Sequence, residues 1–228
     1  MSANMVILAH RANLEGPRPG CDNGLEDCCR ALELGLGLET DLRRDLQGRF
    51  YISHDPGCWT PANDFAAFEP VFRKYADRVL AMNVNDLGYE QDLIQLHASG
   101  ALGDRCFYFD FELLEPVTPG SAQRRLKCLP GGERIPLASR LSDRGEPLDQ
   151  CLAIPAEVVW ADEFDSLWIT GREIDAVKKA GRKIFLISPE LHGFPMEAVR
   201  RRWADFRAWG VDGVCTDYSL AACDFFLG

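Results

Sequence analysis

The stretch MVILAHRANLEGPRPGCDNGLEDCCRALELGLGLETD, residues 5–41, holds one complete step of a repeating plan. Residues 5–9 form a short apolar run, residues 24–35 carry apolar side chains at helical spacing, and residues 36–41 return to an apolar run ending in acidic groups. Strand, amphipathic helix and strand in that order is the unit of a parallel sheet with helical crossovers.

The step recurs along the chain. Apolar, β-rich runs at 5–9, 36–41, 78–84, 105–111, 134–139, 157–162, 183–188 and 213–217 predict eight strands. Helices are predicted near 24–35, 64–76, 88–99, 119–127, 146–152, 170–180 and 195–208. Thr170 with Glu173 makes a capping box ahead of Ile174 and Val177, and Gly181 follows the last turn. Eight-fold alternation in a chain of 228 residues closes most naturally as one α/β domain, a TIM (β/α)8 barrel over 1–228, with an open doubly wound sheet as the alternative. Gly/Pro-rich stretches at 15–20, 56–63 and 130–136 read as loops inside that domain.

Composition narrows the function classes. With 46% hydrophobic and 26% charged residues the chain is globular, and no apolar run is long enough for a transmembrane segment. A net charge of -10 repels nucleic acid and anionic membrane, which leaves a small-molecule partner. The aromatic segments FAAFEPVF (65–72) and DFFLG (224–228) are expected to face the core. Nine cysteines without a CxxC pair, and a start with no basic segment before its apolar run, fit reduced thiols and a cytoplasmic location.

In a parallel barrel the chemistry collects where strands end and loops begin. His10, Arg11, Glu39, Asp41, Asn83, Asn85, Asp110, Arg140, Asp162, Glu190, His192 and Asp217 occupy such positions, and His54 follows a short extended piece after the second run. Glu39 and Asp41, two apart on a strand, point to one face, where they either converge on a hard cation or pair with Arg11, Arg43 or Arg140. His10 and His54 can face each other across the mouth as base and acid. Arg11 can grip a phosphate oxygen or a loop carboxylate.

AHRAN (9–13), Asn23 ahead of a helix, LETDLRRDLQGRFYISHDP (38–56) and GVDGVCTDYS (210–219) together resemble the glycerophosphodiester phosphodiesterase family, part of the superfamily of phosphatidylinositol-phospholipase-C-like phosphodiesterases. The resemblance implies a metal-dependent phosphoric diester hydrolase. His10 and His54 would be the acid/base pair, Arg11 the phosphate contact, and Glu39 and Asp41 ligands for Mg2+ or Ca2+. Cleavage can pass through a cyclic phosphate when the substrate's own hydroxyl attacks. On the third strand the family carries an acidic ligand and a lysine, where this chain has Asn83 as third ligand and Asn85. The family's glycine after His-Arg is Ala12. FYFDF, ASRLSD, VVWADEF and LISPELHG look like a divergent subgroup, in which Asp110, Arg140, Asp162, Glu190 and His192, with Asn85, line the substrate pocket or pair among themselves. The alternative function is a weakly catalytic or non-catalytic barrel that binds a phosphorylated ligand. A phosphosugar isomerase or aldolase ranks lowest, since no lysine stands at a predicted strand end.

Overall fold

Alternating side chains make every strand two-faced, and the two faces build two separate apolar layers. The computed structural model describes residues 5–18, 20–110 and 120–228. Its elements are β1 (Val6–His10), α1 (Leu25–Glu33), β2 (Gly37–Arg44), β3 (Phe50–Ile52), α2 (Phe65–Lys74), β4 (Leu80–Val84), α3 (Glu90–Ala98), β5 (Cys106–Asp110) and α4 (Ser121–Cys128). They continue with β6 (Ala138–Ser142), α5 (Leu148–Ala153), β7 (Val158–Asp162), α6 (Gly171–Lys179), β8 (Lys183–Ile187), α7 (Met196–Trp209), β9 (Gly213–Thr216) and α8 (Ser219–Leu227).

Eight strands are parallel, in the order β5-β4-β2-β1-β9-β8-β7-β6, and β3 pairs antiparallel with the end of β2 outside the ring. The seam between β5 and β6 is drawn together by Tyr108 N–H donating to the Pro136 carbonyl at 3.0 Å. The fold is therefore the nearly closed (β/α)8 barrel expected. Leu8, Ala81, Phe107, Phe109, Trp160, Phe185 and Cys215 fill its interior, while Leu38, Leu42, Met82, Tyr108 and Val214 face the helices. Phe65, Phe68 and Phe72 of α2 are buried in that outer layer, as expected. Among the described residues no helix is long and apolar enough to cross a membrane.

Two elements differ from expectation. The run predicted at 134–139 becomes a strand only at Ala138, because Arg134 closes a 3-10 turn and Pro136 has no N–H to offer a ladder. Helix α8 went unpredicted because SLAACDFFL is apolar on nearly every side and shows little helical periodicity. It forms because Phe225 and Phe226 pack at a tilt against Trp203 of α7, with ring centroids 5.6 Å apart. The capping box of α6 forms as expected, with Thr170 N–H donating to Glu173 at 2.9 Å. Residue 111 of the fourth predicted strand and residue 119 of the fourth predicted helix lie outside the described residues.

Large rings inside the barrel need small neighbours. A Cβ at Gly213 would lie 2.5 Å from the Phe185 ring and 2.8 Å from the Val6 carbonyl. Gly213→Ala is therefore expected to destabilise the fold by about 1–3 kcal/mol, seen as a lower urea midpoint. An unchanged midpoint would show that the barrel floor is loosely packed.

Candidate active site

Parity carries the interior stripe of each strand upward into polar residues. In β2 the alternation that turns Leu38 and Leu42 outward turns Glu39 and Asp41 inward. His10 lies beside Glu39 in the β1–β2 register, and Asp41 beside Asn83 in the β2–β4 register. These side chains share the C-terminal mouth of the barrel.

His10 Nδ1 and Asp217 Oδ1 are 2.7 Å apart, and Asn13 Nδ2 donates to the same oxygen at 2.9 Å. His10 Nε2 is left 3.8 Å from Glu39 Oε2. Burial works to lower the His10 pKa, but the bond to Asp217 and the charges of Glu39 and Asp217 outweigh it, and the pKa rises. For Asp217 the balance is reversed: burial raises its pKa, the His10 interaction overcomes this, and the pKa falls. Asp217 thus orients the ring and keeps its charge.

Glu39 is in a different position. Burial first, and the neighbouring Asp41 charge second, push its pKa up to about 7. Asp41 by contrast is well partnered: Asn85 Nδ2 donates to Oδ1 at 2.9 Å, Asn23 Nδ2 to Oδ2 at 2.9 Å, and Arg11 Nε lies 3.3 Å from Oδ2. Arg11 also reaches Asp22 at 3.4 Å, so it takes the carboxylate role and stands at the rim.

The donor set can be tested against a hard cation. Asn83 Oδ1 is buried and has no hydrogen-bond partner, a cost that a ligand at this spot would remove. It stands in register with Asp41, next to a glutamate whose charge is under-compensated. Among the described residues no group of three His, Cys, Asp or Glu side chains forms a metal cluster. Two carboxylates and one amide oxygen nonetheless fit a divalent oxygen-seeking ion.

His54 follows β3, whose end is tied to the same mouth by Ser53 N–H donating to the Asp41 carbonyl at 3.1 Å. Its ring is half-exposed and contacts Asp55 at 2.9 Å. Its backbone is firmly held: Arg43 donates to the His54 carbonyl at 2.8 and 2.6 Å, to the Asn85 carbonyl at 3.2 Å and to Asp86 at 2.8 Å. Arg43 therefore clamps the loops after β3 and β4 together and does not pair with Glu39 or Asp41.

The opposite wall is a second network. Arg140 pairs with Asp110, with Asp162 at 3.0 Å and with Glu146 at 3.2 Å. Burial raises the Asp110 pKa although Arg140 opposes it. Asp162 Oδ1 also meets His192 Nε2 at 3.0 Å, and the His192 ring lies 4.3 Å from the Phe164 ring. Beneath them Phe109 stacks on Trp160 at 4.2 Å. Glu190 stands apart from Arg140: it accepts from Ser188, from Thr216 and from Asp217 N–H at 3.2 Å, and burial raises its pKa.

Sequence reading assigned no site role to Asn13, Asn23 or Arg43. Arg43 shares the parity of Glu39 and Asp41, which was a usable signal. Asn13 and Asn23 lie in stretches that carry the family resemblance, but no strand position aims their side chains. Among the described residues the positive-φ residues other than glycine, Arg11, Ala12, Asn23 and Asp110, all lie at this end of the barrel, where such backbone strain of about 1–3 kcal/mol each is characteristic of functional sites. A cavity of about 780 Å³ opens at the other end, lined by Val6, Val79, Phe107, Val158 and Phe185 among others, and it collects no histidine.

The chain matches, over 98% of its length, a protein from Galdieria sulphuraria described as a candidate glycerophosphodiester phosphodiesterase, with TM-score 0.74, 18% identity and 98% of that chain covered. A glycerophosphoryl diester phosphodiesterase from Parabacteroides distasonis matches over 98% of this chain and 86% of its own, with TM-score 0.68 and 14% identity. The fold is the one these proteins use. Phosphoribosyl anthranilate isomerase from Thermus thermophilus shares the barrel at TM-score 0.52 and 13% identity, over 98% of this chain and 97% of its own. The fold by itself does not choose the reaction. The sequence matches no family model and no curated protein.

Proposed function

We propose that the protein cleaves a phosphoric diester with the help of a divalent cation, Mg2+ or Ca2+. The observation that carries this reading is the placement of His10, oriented by Asp217 at 2.7 Å, beside a buried Glu39–Asp41 pair and an unpartnered Asn83 oxygen. The likeness of AHRAN and LETDLRRDLQGRFYISHDP to the glycerophosphodiester phosphodiesterase family supports it, as do the names of the structural neighbours.

Glu39, Asp41 and Asn83 would hold the cation, which supplies charge to polarise a phosphoryl oxygen. Asp217 holds Nδ1 of His10, so Nε2 is the nitrogen that takes the proton of the attacking oxygen. That oxygen belongs to water or to a hydroxyl of the substrate, and in the second case the first product is a cyclic phosphate. Arg11, held at the rim by Asp22 and Asp41, would turn its guanidinium to a phosphate oxygen when substrate binds. Protonation of the leaving oxygen falls to a second histidine, and His54 and His192 stand at the same end.

The test is product release from a panel of soluble phosphodiesters with Mg2+, Ca2+, Mn2+ or EDTA, for the wild type and Glu39→Ala. Metal-dependent turnover is expected, reduced at least about a hundredfold in the variant. Absence of turnover, with no metal bound at millimolar concentration, would overturn the reading. A second reading, a barrel that binds a phosphorylated ligand without turnover, rests on Asn85. It stands where the family carries a lysine, and its amide is bonded to Asp41. Calorimetric binding of a phosphodiester with no product would favour it.

A further inference from the structure

We infer that His192, held by Asp162, donates the proton to the departing oxygen of the diester. The inference rests on the phosphodiesterase reading and names a group that the sequence resemblance does not, since the resemblance gives this role to His54.

The two histidines differ in how firmly each is held. The His54 side chain is 51% exposed and its one ring partner among the described residues, Asp55, is 75% exposed. The His192 side chain is 15% exposed and Asp162 is 5% exposed. Asp162 is itself fixed, because its other oxygen accepts from Arg140 at 3.0 Å and Arg140 is pinned in turn by Asp110 and Glu146. A donor that must meet one oxygen atom gains most from such a chain of supports, since less freedom is lost on reaching the reactive geometry.

The place of His192 suits the role as well. Its turn, Pro189–His192, follows β8. Glu190 of that turn accepts from Thr216 and from Asp217 N–H, so the turn is anchored to the strand end that carries the partner of His10. Two histidine–aspartate pairs, His10–Asp217 and His192–Asp162, are thereby linked across the mouth through the turn that carries Glu190. The groups around His192 are Asp162, Arg140 behind it, Glu190, Asp165 and the Phe164 ring. Because Nε2 faces Asp162, Nδ1 is the nitrogen left for a ligand.

In the step itself the attacking oxygen forms a bond to phosphorus and passes its proton to His10 Nε2. The phosphorus–oxygen ester bond breaks, its electron pair leaves with the oxygen, and the Nδ1 proton of the His192 imidazolium completes the alcohol. One proton is gained and one lost, so the pair returns to its starting state by exchange with solvent or by the reverse transfers in a second step.

Leaving-group dependence tests this. An alkoxide needs a proton to depart, whereas p-nitrophenolate leaves without one. His192→Gln is expected to lower kcat on glycerophosphoethanolamine about a hundredfold or more, and on bis(p-nitrophenyl) phosphate by less than about tenfold. Imidazole is expected to restore the alkyl reaction of His192→Gly. Near-UV circular dichroism checks that both variants keep the wild-type fold. A purely structural latch would lower both substrates alike, and that result would overturn the inference. So would a selective loss on the alkyl ester in His54→Gln, which leaves the phosphodiesterase reading intact. No wild-type turnover on either ester overturns that reading, and the inference falls with it.

Discussion

Glu39→Gln is expected to make the metal-free protein more stable, by about 3 kcal/mol at pH 8 and by almost nothing at pH 4. The cause is the burial that lifts the Glu39 pKa from 4.5 to about 7. A carboxyl whose folded pKa is raised costs nothing where both states are protonated, below the unfolded value. The cost grows as pH climbs between the two values and is complete above about 7. Glutamine copies the protonated form and carries no such cost. At roughly 2–4 °C per kcal/mol for a chain of this size, the gain is about 6–12 °C in Tm. Added Mg2+ or Ca2+ should raise the Tm of the wild type and leave the variant unmoved, because the ion binds the charged form. Thermal scans at pH 4, 6 and 8, with EDTA or cation, give both results. An unchanged or lower Tm for the variant at pH 8 would show that Glu39 is compensated by something other than a ligand. Stability given up at this position is the usual mark of a site kept for function.

His10→Ala is expected to lower turnover about a thousandfold or more while the protein stays folded, and Asp217→Asn to lower it about a hundredfold. The asparagine preserves shape but removes the charge that holds Nδ1–H, so the ring can turn its wrong nitrogen to the substrate. Stability follows a sign that can be checked independently of activity. The His10 pKa is raised, so its contribution is complete below the unfolded value of 6.5 and fades as pH rises through the folded one. The Asp217 pKa is lowered, so its contribution is complete above 3.8 and fades as pH falls through the folded value. The Tm deficit of His10→Ala should therefore be largest in mildly acidic solution, between these limits, and shrink on the alkaline side. A deficit that grows with pH would contradict the His10–Asp217 pairing.

Much of the barrel is readable because each strand is short, apolar and bounded by turn residues, and each helix carries one apolar face. MVILA and VVWAD need no partner to be recognised as strands. The signal failed for two different reasons, one non-local and one local. Helix α8 lacks periodicity because it packs on more than one side, and β6 begins late because Pro136 interrupts a run that is otherwise strand-like. The site was legible to the extent that polar side chains at strand ends are conspicuous. Glu39, Asp41 and His10 could be placed at one mouth from parity alone.

Partner choice was not legible. Glu39 and Asp41 look equivalent in LETD, yet Asp41 is held by Asn23, Asn85 and Arg11 while Glu39 accepts from the Arg11 N–H and burial still raises its pKa. Arg43 could have neutralised either and instead braces two loops. The sequence by itself determined the order of the eight parallel strands and of the helices between them, and that Glu39 and Asp41 share a face, because both follow from local periodicity. Only the tertiary structure decided that Asp217 meets His10 across a sequence separation of 207 residues, and that Asp162 meets His192. Those pairings depend on ring closure bringing distant strand ends within a few ångströms in a largely buried region, where a hydrogen bond's direction and a charge's burial decide which group keeps its proton.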